Sequence, residues 1–351
     1  MVVEGVIKIE ILDIRGEYDI GTARRSIAQK CTDMGFSEHE IGQISIAVTE
    51  LCTNIIKHNA VDGKVIFTEL CEGGRKGIEI TIEDKGPGIA DVDEVLRDGF
   101  STKGTMGTGL GAVKRLMDSF EIYSNIKRNK YLKYPFEEIF EGTVVTVKKW
   151  LTGKYIPFND EIKLSVMSRP YPGFNINGDS YYVKNLKGKE IFAVIDGLGH
   201  GHEAHIASAL AATIIEDNIH KNLTEIVVDV DSALKPTRGA TMGIIIIDKF
   251  KKEFEYCSIG NIDIRYIGEN GTEIMMPTNG MLGGKVNSIK VHRRIYNSGA
   301  AIVICSDGIS TRWGIDNYPG ILLKNPAILS NSIMRDFAKE NDDATVLVAF
   351  I

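Results

Sequence analysis

Two apolar rhythms alternate along the chain. Ile41, Ile44, Val48, Leu51 and Ile55 recur at three- and four-residue steps, the period of one helix face. Ser37 and Glu40 stand just ahead as an S-x-x-E capping box, so the spacing predicts a helix over about 38–58. Residues 77–83 alternate Ile78, Ile80 and Ile82, and residues 142–150 set Val144, Thr146 and Lys148 opposite Thr143, Val145 and Val147; both read as strands. A glycine-rich entry leads into a second helix over 110–120. Further on, the apolar runs 191–195, 243–247, 301–305 and 345–350 read as buried strands and 202–220 as a helix. The opening MVVEGVIKIEILDI alternates like a strand and carries an acid at Glu4, which does not fit a signal peptide.

These elements fall into two α/β halves, residues 1–151 and 161–351, with the aperiodic TGKYIPFND of 152–160 as linker. The length of 351 residues suits two domains of ~100–200 each. Lys and Arg number 41 against 47 Asp and Glu, a net charge of −6 that argues against a nucleic-acid binder working by bulk charge. The longest strong apolar run, Met242–Ile247, falls far below the ~20 residues of a membrane span, so a cytoplasmic protein without a membrane partner is expected. Cys31, Cys52, Cys71, Cys257 and Cys305 are scattered, odd in number and never in a C-x-x-C spacing. They read as small buried apolar residues in a reducing compartment, not as disulfides or zinc ligands. The basic run 127–133 reads as a solvated loop.

Candidate chemistry in the first half comes from three features. Glu50 and Asn54 are four apart on the 38–58 helix, on a face away from the apolar stripe. The strand ending at Glu83 runs into Asp84-Lys85-Gly86-Pro87-Gly88, where an acid can accept a hydrogen bond from an exocyclic amine and glycines admit a flat ring. Gly104-Thr105-Met106-Gly107-Thr108-Gly109-Leu110-Gly111 then opens a helix, presenting free N–H groups and the helix dipole to an anion. No G-K-[ST] follows the spacing of a Walker A loop.

In this order and spacing, TELCTNIIKHNA, EDKGPGI and STKGTMGTGLGAVKRLMDSFEIYS resemble the GHKL ATPase superfamily, most of all its anti-sigma-factor serine kinases of the RsbT/RsbW kind. The resemblance implies an α/β sandwich with ATP between helices and a mixed sheet. It implies that Asn54 binds Mg²⁺, that Glu50 accepts the proton of a substrate serine, and that Asp84, Gly86 and Gly88 hold adenine. Gly104, Gly107, Thr108, Gly109, Leu110 and Gly111 would wrap the phosphates, with Lys103 as a further phosphate contact.

The second half repeatedly sets acids at strand ends: Asp179, then Asp196-Gly197, Asp307-Gly308 and Asp342-Asp343. At an effective dielectric of ~20, two like charges ~4 Å apart repel by roughly 4 kcal/mol, so converging acids call for hard cations such as Mg²⁺ or Mn²⁺. The ordered motifs VIDGLGHG, RGATMG, SDGIS and NDDATVLV resemble the SpoIIE-like branch of the metal-dependent PPM protein phosphatases, especially its short RsbX type. That resemblance implies an α/β/β/α sandwich with a two-metal centre. Asp196 would bridge both ions and act with Asp307 in catalysis. The Gly197 carbonyl, Asp307 and Asp342 would complete the ligands, and Asp179 would bind directly or through water. Asp343 ranks lower, because related phosphatases often carry Asn there. His200, His202 and His205 lack zinc spacing. His200 is a candidate proton donor, Arg238 a candidate phosphate contact, and no further arginine clamp is evident.

Together the resemblances imply a bifunctional switch regulator. One half would phosphorylate a Ser or Thr of a STAS-domain partner with ATP and Mg²⁺, in the setting of a sigma factor or a stressosome-like assembly, and a homodimer would be in keeping with kinases of this type. The other half would hydrolyse phosphoserine or phosphothreonine. The alternative is a nucleotide-sensing or sigma-factor-binding module fused to a phosphatase.

Overall fold

The computed structural model describes residues 9–58, 60–72, 75–96, 109–126, 140–152, 162–286 and 288–351. By their contacts these fall into two units. One comprises 9–152 with 314–332, the other 162–313 with 333–351.

The first unit opens with β1 (Ile9–Ile14), α1 (Glu17–Met34) and α2 (Glu38–Lys57). It continues through β2 (Gly63–Glu72), β3 (Arg75–Asp84), α3 (Val92–Val95), α4 (Gly109–Leu116), β4 (Ser119–Asn125) and β5 (Gly142–Trp150). The capping box starts α2 as its sequence predicts: Ser37 accepts from the Glu40 amide while Glu40 reaches back to the Ser37 amide. The apolar stripe of α2 is buried at Ile44, Val48, Leu51 and Ile55, packed with Ile27 of α1 and Ile78 and Ile80 of β3. The strands run in the order β1-β2-β3-β5-β4. Every described pairing is antiparallel, which corrects the expected mixed sheet.

The expected helix over 110–120 stops at Leu116, and Phe120 already belongs to β4, opposite Val147. The cause lies between them. The Asp118 carboxylate accepts from the Trp150 amide at 2.7 Å and from Lys149 Nζ at 3.3 Å, which ties the chain to β5 and starts a strand. Residues 127–133 and 153–160, expected as solvated loop and as linker, lie outside the described residues.

The second unit contains β6 (Lys163–Arg169), β7 (Asp179–Leu186), β8 (Lys189–Gly197), α5 (His202–Asp217), α6 (Leu223–Leu234) and β9 (Ala240–Asp248). Then come β10 (Glu253–Ile259), β11 (Asp263–Gly268), β12 (Gly271–Met275), β13 (His292–Ile295), β14 (Ala301–Cys305) and β15 (Ala344–Phe350), while α7 (Pro326–Phe337) is divided between the two units after residue 332. Two antiparallel sheets, β13-β10-β9-β8-β7 and β12-β11-β14-β15-β6, form a sandwich. The period of two decides the layering. On β8, Phe192 and Val194 join Ile245, Ile304 and Leu347 between the sheets, whereas Ile191 and Ile195 turn to Ala207 and Ala211 of α5 and Val227 of α6. The expected helix over 202–220 is shorter than its apolar content suggests. It ends at Asp217 because the Asn218 side chain returns to the Ile214 carbonyl at 2.8 Å, and α6 begins anew at the Asn222 cap.

Candidate active sites

In the sandwich, pairing of β7 with β8 sets Asp179 directly opposite Asp196. Asp307 follows β14 and Asp342-Asp343 precede β15, which is paired to β14. The two sheets meet at Asp179, which is 4 % exposed. Its Oδ2 accepts from Ser306 Oγ at 2.7 Å and from Thr345 Oγ1 at 2.8 Å, both on the other sheet's side. Thr345 in turn is 2.7 Å from Ser168, which receives the Asn177 amide.

The acids strain against one another. Burial pushes Asp196 up to about 9, and the charges of Asp179, Asp307, Asp342 and Asp343 push it the same way. Burial also lifts Asp179 to about 7, against the pull of its two hydroxyl donors, with Asp343 and Asp307 adding to the rise. Asp342 is raised by burial first, then by the charge of Asp307 and a hydrogen bond to it. Asp343 Oδ1 accepts the Tyr171 amide at 2.8 Å, but its buried Oδ2 has no hydrogen-bond partner. Asn261 donates its amide to Asp307. Among the described residues no three or more His, Cys, Asp or Glu side chains are gathered as they would be around a metal ion. The acids are coupled through charge.

The backbone around them is crowded. A Cβ on Gly197 would fall 2.0 Å from the Ala204 carbonyl oxygen, and one on Gly178 would fall 2.6 Å from Asp343 Oδ2. Glycine lets the chain pack here against the first turn of α5 at 197 and against Asp343 at 178. His205 Nδ1 lies 3.0 Å from the Asn177 carbonyl, and His202 begins α5. A Cβ on Gly199 would lie 3.3 Å from Arg238 Nη1, so that guanidinium rests beside the loop after Asp196.

In the first unit, Glu50 faces the start of α4: a Cβ on Gly109 would stand 3.5 Å from its Oε2. Asn54 is one turn further along α2, and both are half-buried. Asp84 closes β3, and its Oδ1 accepts the Gly86 amide at 2.7 Å, a tight turn next to Ala60. Gly88 has φ +73°, and a Cβ there would fall 2.1 Å from the Asn125 carbonyl oxygen. The next amide, Ile89, donates to Ser124 Oγ at 2.8 Å. Gly109, Leu110 and Gly111 form the first turn of α4, with Leu110 turned into the core, so this turn can offer an anion only its backbone. Lys103, Gly104, Gly107 and Thr108 lie outside the described residues.

A family model described as a histidine kinase-like ATPase domain matches residues 17–131, and one described as stage II sporulation protein E (SpoIIE) matches 187–350. The serine/threonine-protein kinase RsbT of Bacillus subtilis is 37% identical over 138 residues, 39% of this chain and 93% of RsbT. The phosphoserine phosphatase RsbX of the same organism is 31% identical over 196 residues, 54% of this chain and 95% of RsbX. The chain belongs to both families. It joins a GHKL-like, RsbT-related domain to a SpoIIE/RsbX-type PPM domain in one polypeptide. A chain solved in work on the bacterial stressosome, described there as a modular system adapted to control secondary messenger signaling, also superposes on it. The TM-score is 0.50 and the identity 26%, covering 54% of this chain and all of that one.

Several residues beside the PPM domain's acids escape motif reading. Arg169 Nη1 donates to the carbonyls of Asp342 at 3.1 Å and Pro170 at 3.2 Å, and Nη2 to that of Lys339. Burial lowers this guanidinium's pKa against the pull of Asp343, Asp342 and Asp179. An arginine therefore does stand beside the acids, where the sequence offers no evident clamp. Ser306 was legible as part of S-D-G, but its bond to Asp179 spans 127 residues.

Proposed function

We propose that the chain is a two-enzyme switch regulator. Its GHKL-like domain transfers phosphate from ATP to a serine or threonine of a STAS-domain protein, and its PPM domain hydrolyses the phosphoserine or phosphothreonine of such a partner. The observation that supports the reading is a pair of placements in one chain: Glu50 beside the first turn of α4, and Asp179 facing Asp196 under the charges of Asp307 and Asp342. The relationship to RsbT and to RsbX supports each half.

Two Mg²⁺ or Mn²⁺ ions suit the donors of the PPM domain. Asp196, the Gly197 carbonyl, Asp307, Asp342 and Asp179 offer hard oxygens. The buried Asp343 oxygen without a donor, and the upward push on Asp196, mark a deficit of positive charge that cations would relieve. When bound, such ions lower the pKa of water and neutralise phosphate charge. The protein's own part is positional. Ser306 and Thr345 aim Asp179, and Arg169 anchors the backbone that carries Asp342.

In the GHKL-like domain Asn54 would hold the Mg²⁺ of the nucleotide and Asp84 the adenine amine, with Gly86 and Gly88 giving the ring access. The α4 turn, with the loop before it, would present amides to the phosphates. Glu50 would receive the proton of the attacking hydroxyl; phosphoryl transfer asks for little more than this positioning and charge.

Two assays test the reading. Turnover of p-nitrophenyl phosphate should require Mn²⁺, stop with EDTA, and fall by more than about 100-fold in Asp196→Asn, the upper range seen even for residues that only support a ligand. Absence of metal-dependent turnover of this substrate and of phosphopeptides overturns the phosphatase half. Incubation with a STAS-domain protein and ATP–Mg²⁺ should yield a phospho-form that Glu50→Gln abolishes. A variant that binds nucleotide and regulates as well as the wild type identifies a binding module instead.

A further inference from the structure

A cluster of rings stands on the loops next to the acids. Tyr171, Phe174 and His200 form a mutual cluster, with centroids 5.3 Å apart for Tyr171–Phe174 and 5.0 Å for each pair with His200. The rings stand on two loops that also support the carboxylates. The Tyr171 amide donates to Asp343 Oδ1, and His200 lies four residues beyond Asp196. Gly201, at φ +74°, brings the second loop to the first: a Cβ there would meet the Phe174 ring at 3.4 Å.

A ring cluster that only locked two loops would be covered. This one is open. Phe174 is 43% exposed, Ile176 on its own loop 39%, and Leu198, two residues before His200, 50%. Exposed apolar side chains thus stand on the loops that adjoin the carboxylates. A phosphate monoester with nothing attached has no use for such a surface, whereas a phosphorylated serine in a polypeptide brings neighbouring side chains with it.

We propose that Tyr171, Phe174 and His200 form a specificity wall that receives an apolar side chain next to the phosphorylated residue of a protein substrate. The wall rests on the phosphatase reading above and adds a preference to it. Burying one aliphatic side chain against an apolar surface changes kcat/KM by about tenfold or more.

The test uses the full chain with Mn²⁺ and two peptides, one with phosphoserine between leucines and one with phosphoserine between alanines. The wild type should favour the leucine peptide about tenfold in kcat/KM. Phe174→Ala should reduce that ratio to under about twofold, and Phe174→Leu should keep most of it, because an apolar surface remains. If Phe174→Ala lowers both peptides alike and leaves the ratio intact, the ring is a loop lock and the inference is overturned. Equal turnover of the two peptides by the wild type overturns it as well, with the phosphatase reading left standing. Metal-dependent turnover of neither peptide nor p-nitrophenyl phosphate removes that reading, and the wall falls with it.

Discussion

Asp179 illustrates how a single side chain can be held ready at an energetic cost. It is buried among like charges, and two hydroxyls from the opposite sheet offset part of the penalty. Removing either donor leaves the carboxylate under-satisfied. Ser306→Ala or Thr345→Ala should each destabilise the PPM domain by about 1–2 kcal/mol, read from urea unfolding in EDTA so that no metal masks the loss. The thiols give a second expectation at this scale. Cys31 and Cys52 are pushed up to about 12 and Cys257 to about 11, chiefly by burial, and Cys305 is raised well above its ordinary value for the same reason. Thiolate is the reactive form. In a Cys71→Ser background a disulfide reagent at pH 8 should therefore label none of the four until the chain is unfolded, and rapid labelling of the folded protein would contradict their burial.

At the scale of elements, α2 depends on its first turn. Ser37→Ala should cost about 1 kcal/mol of stability. Glu40 adds a pH signature. Hydrogen bonds from the Ser37 hydroxyl, then from Thr152, hold its carboxyl down to about 2, below the ordinary 4.5. A lowered folded value means that the contribution is complete above about 4.5 and is lost as the pH falls toward about 2. The stability difference between wild type and Glu40→Ala should stay level from pH 7 to 5 and shrink below that, in urea midpoints taken across the range. The turn after β3 is as exacting. Gly88→Ala needs φ +73° and collides with the Asn125 carbonyl, so it should cost about 1–3 kcal/mol and weaken nucleotide binding, measured by calorimetry.

These elements also show what a sequence discloses. The start of α2 was legible to the residue, because a capping box and a helical stripe are local signals. So were the core strands, as apolar runs, and the acids at their ends, as motifs in order. The end of α4 was not legible, since Asp118 is claimed by Trp150, 32 residues away. Arg169 was invisible for a similar reason: its partners are backbone carbonyls at Lys339 and Asp342, and no side-chain pattern announces a carbonyl. The supports of Asp179 likewise come from remote strands that only the sandwich brings together.

On the scale of the whole molecule, the described residues contain no helix long and apolar enough to cross a membrane. The division into units does not follow the order of the chain. Residues 314–332, which lie between Asp307 and Asp342, belong with the first unit. There the Asn325 amide donates to Glu121 of β4 at 2.6 Å, and Tyr318 meets Tyr123 edge-on at 6.4 Å. Residues 1–152 expressed alone should melt roughly 5–10 °C below the same unit in the full chain, as followed by scanning calorimetry, since a buried ring and a charged hydrogen bond are lost. An equal melting temperature would show that the segment adds nothing to the unit.

The bond between Glu121 and Asn325 spans 204 residues, and that separation matters during synthesis. A ribosome delivers the chain in order, and from residue 152 to residue 332 is 332 − 152 = 180 residues. At roughly 5–20 residues per second Glu121 and Tyr123 wait roughly 10–40 s for Asn325 and Tyr318. The GHKL-like unit therefore gains its last contacts only after most strands of the PPM domain have emerged, and in that interval the incomplete unit is the species most exposed to misassembly.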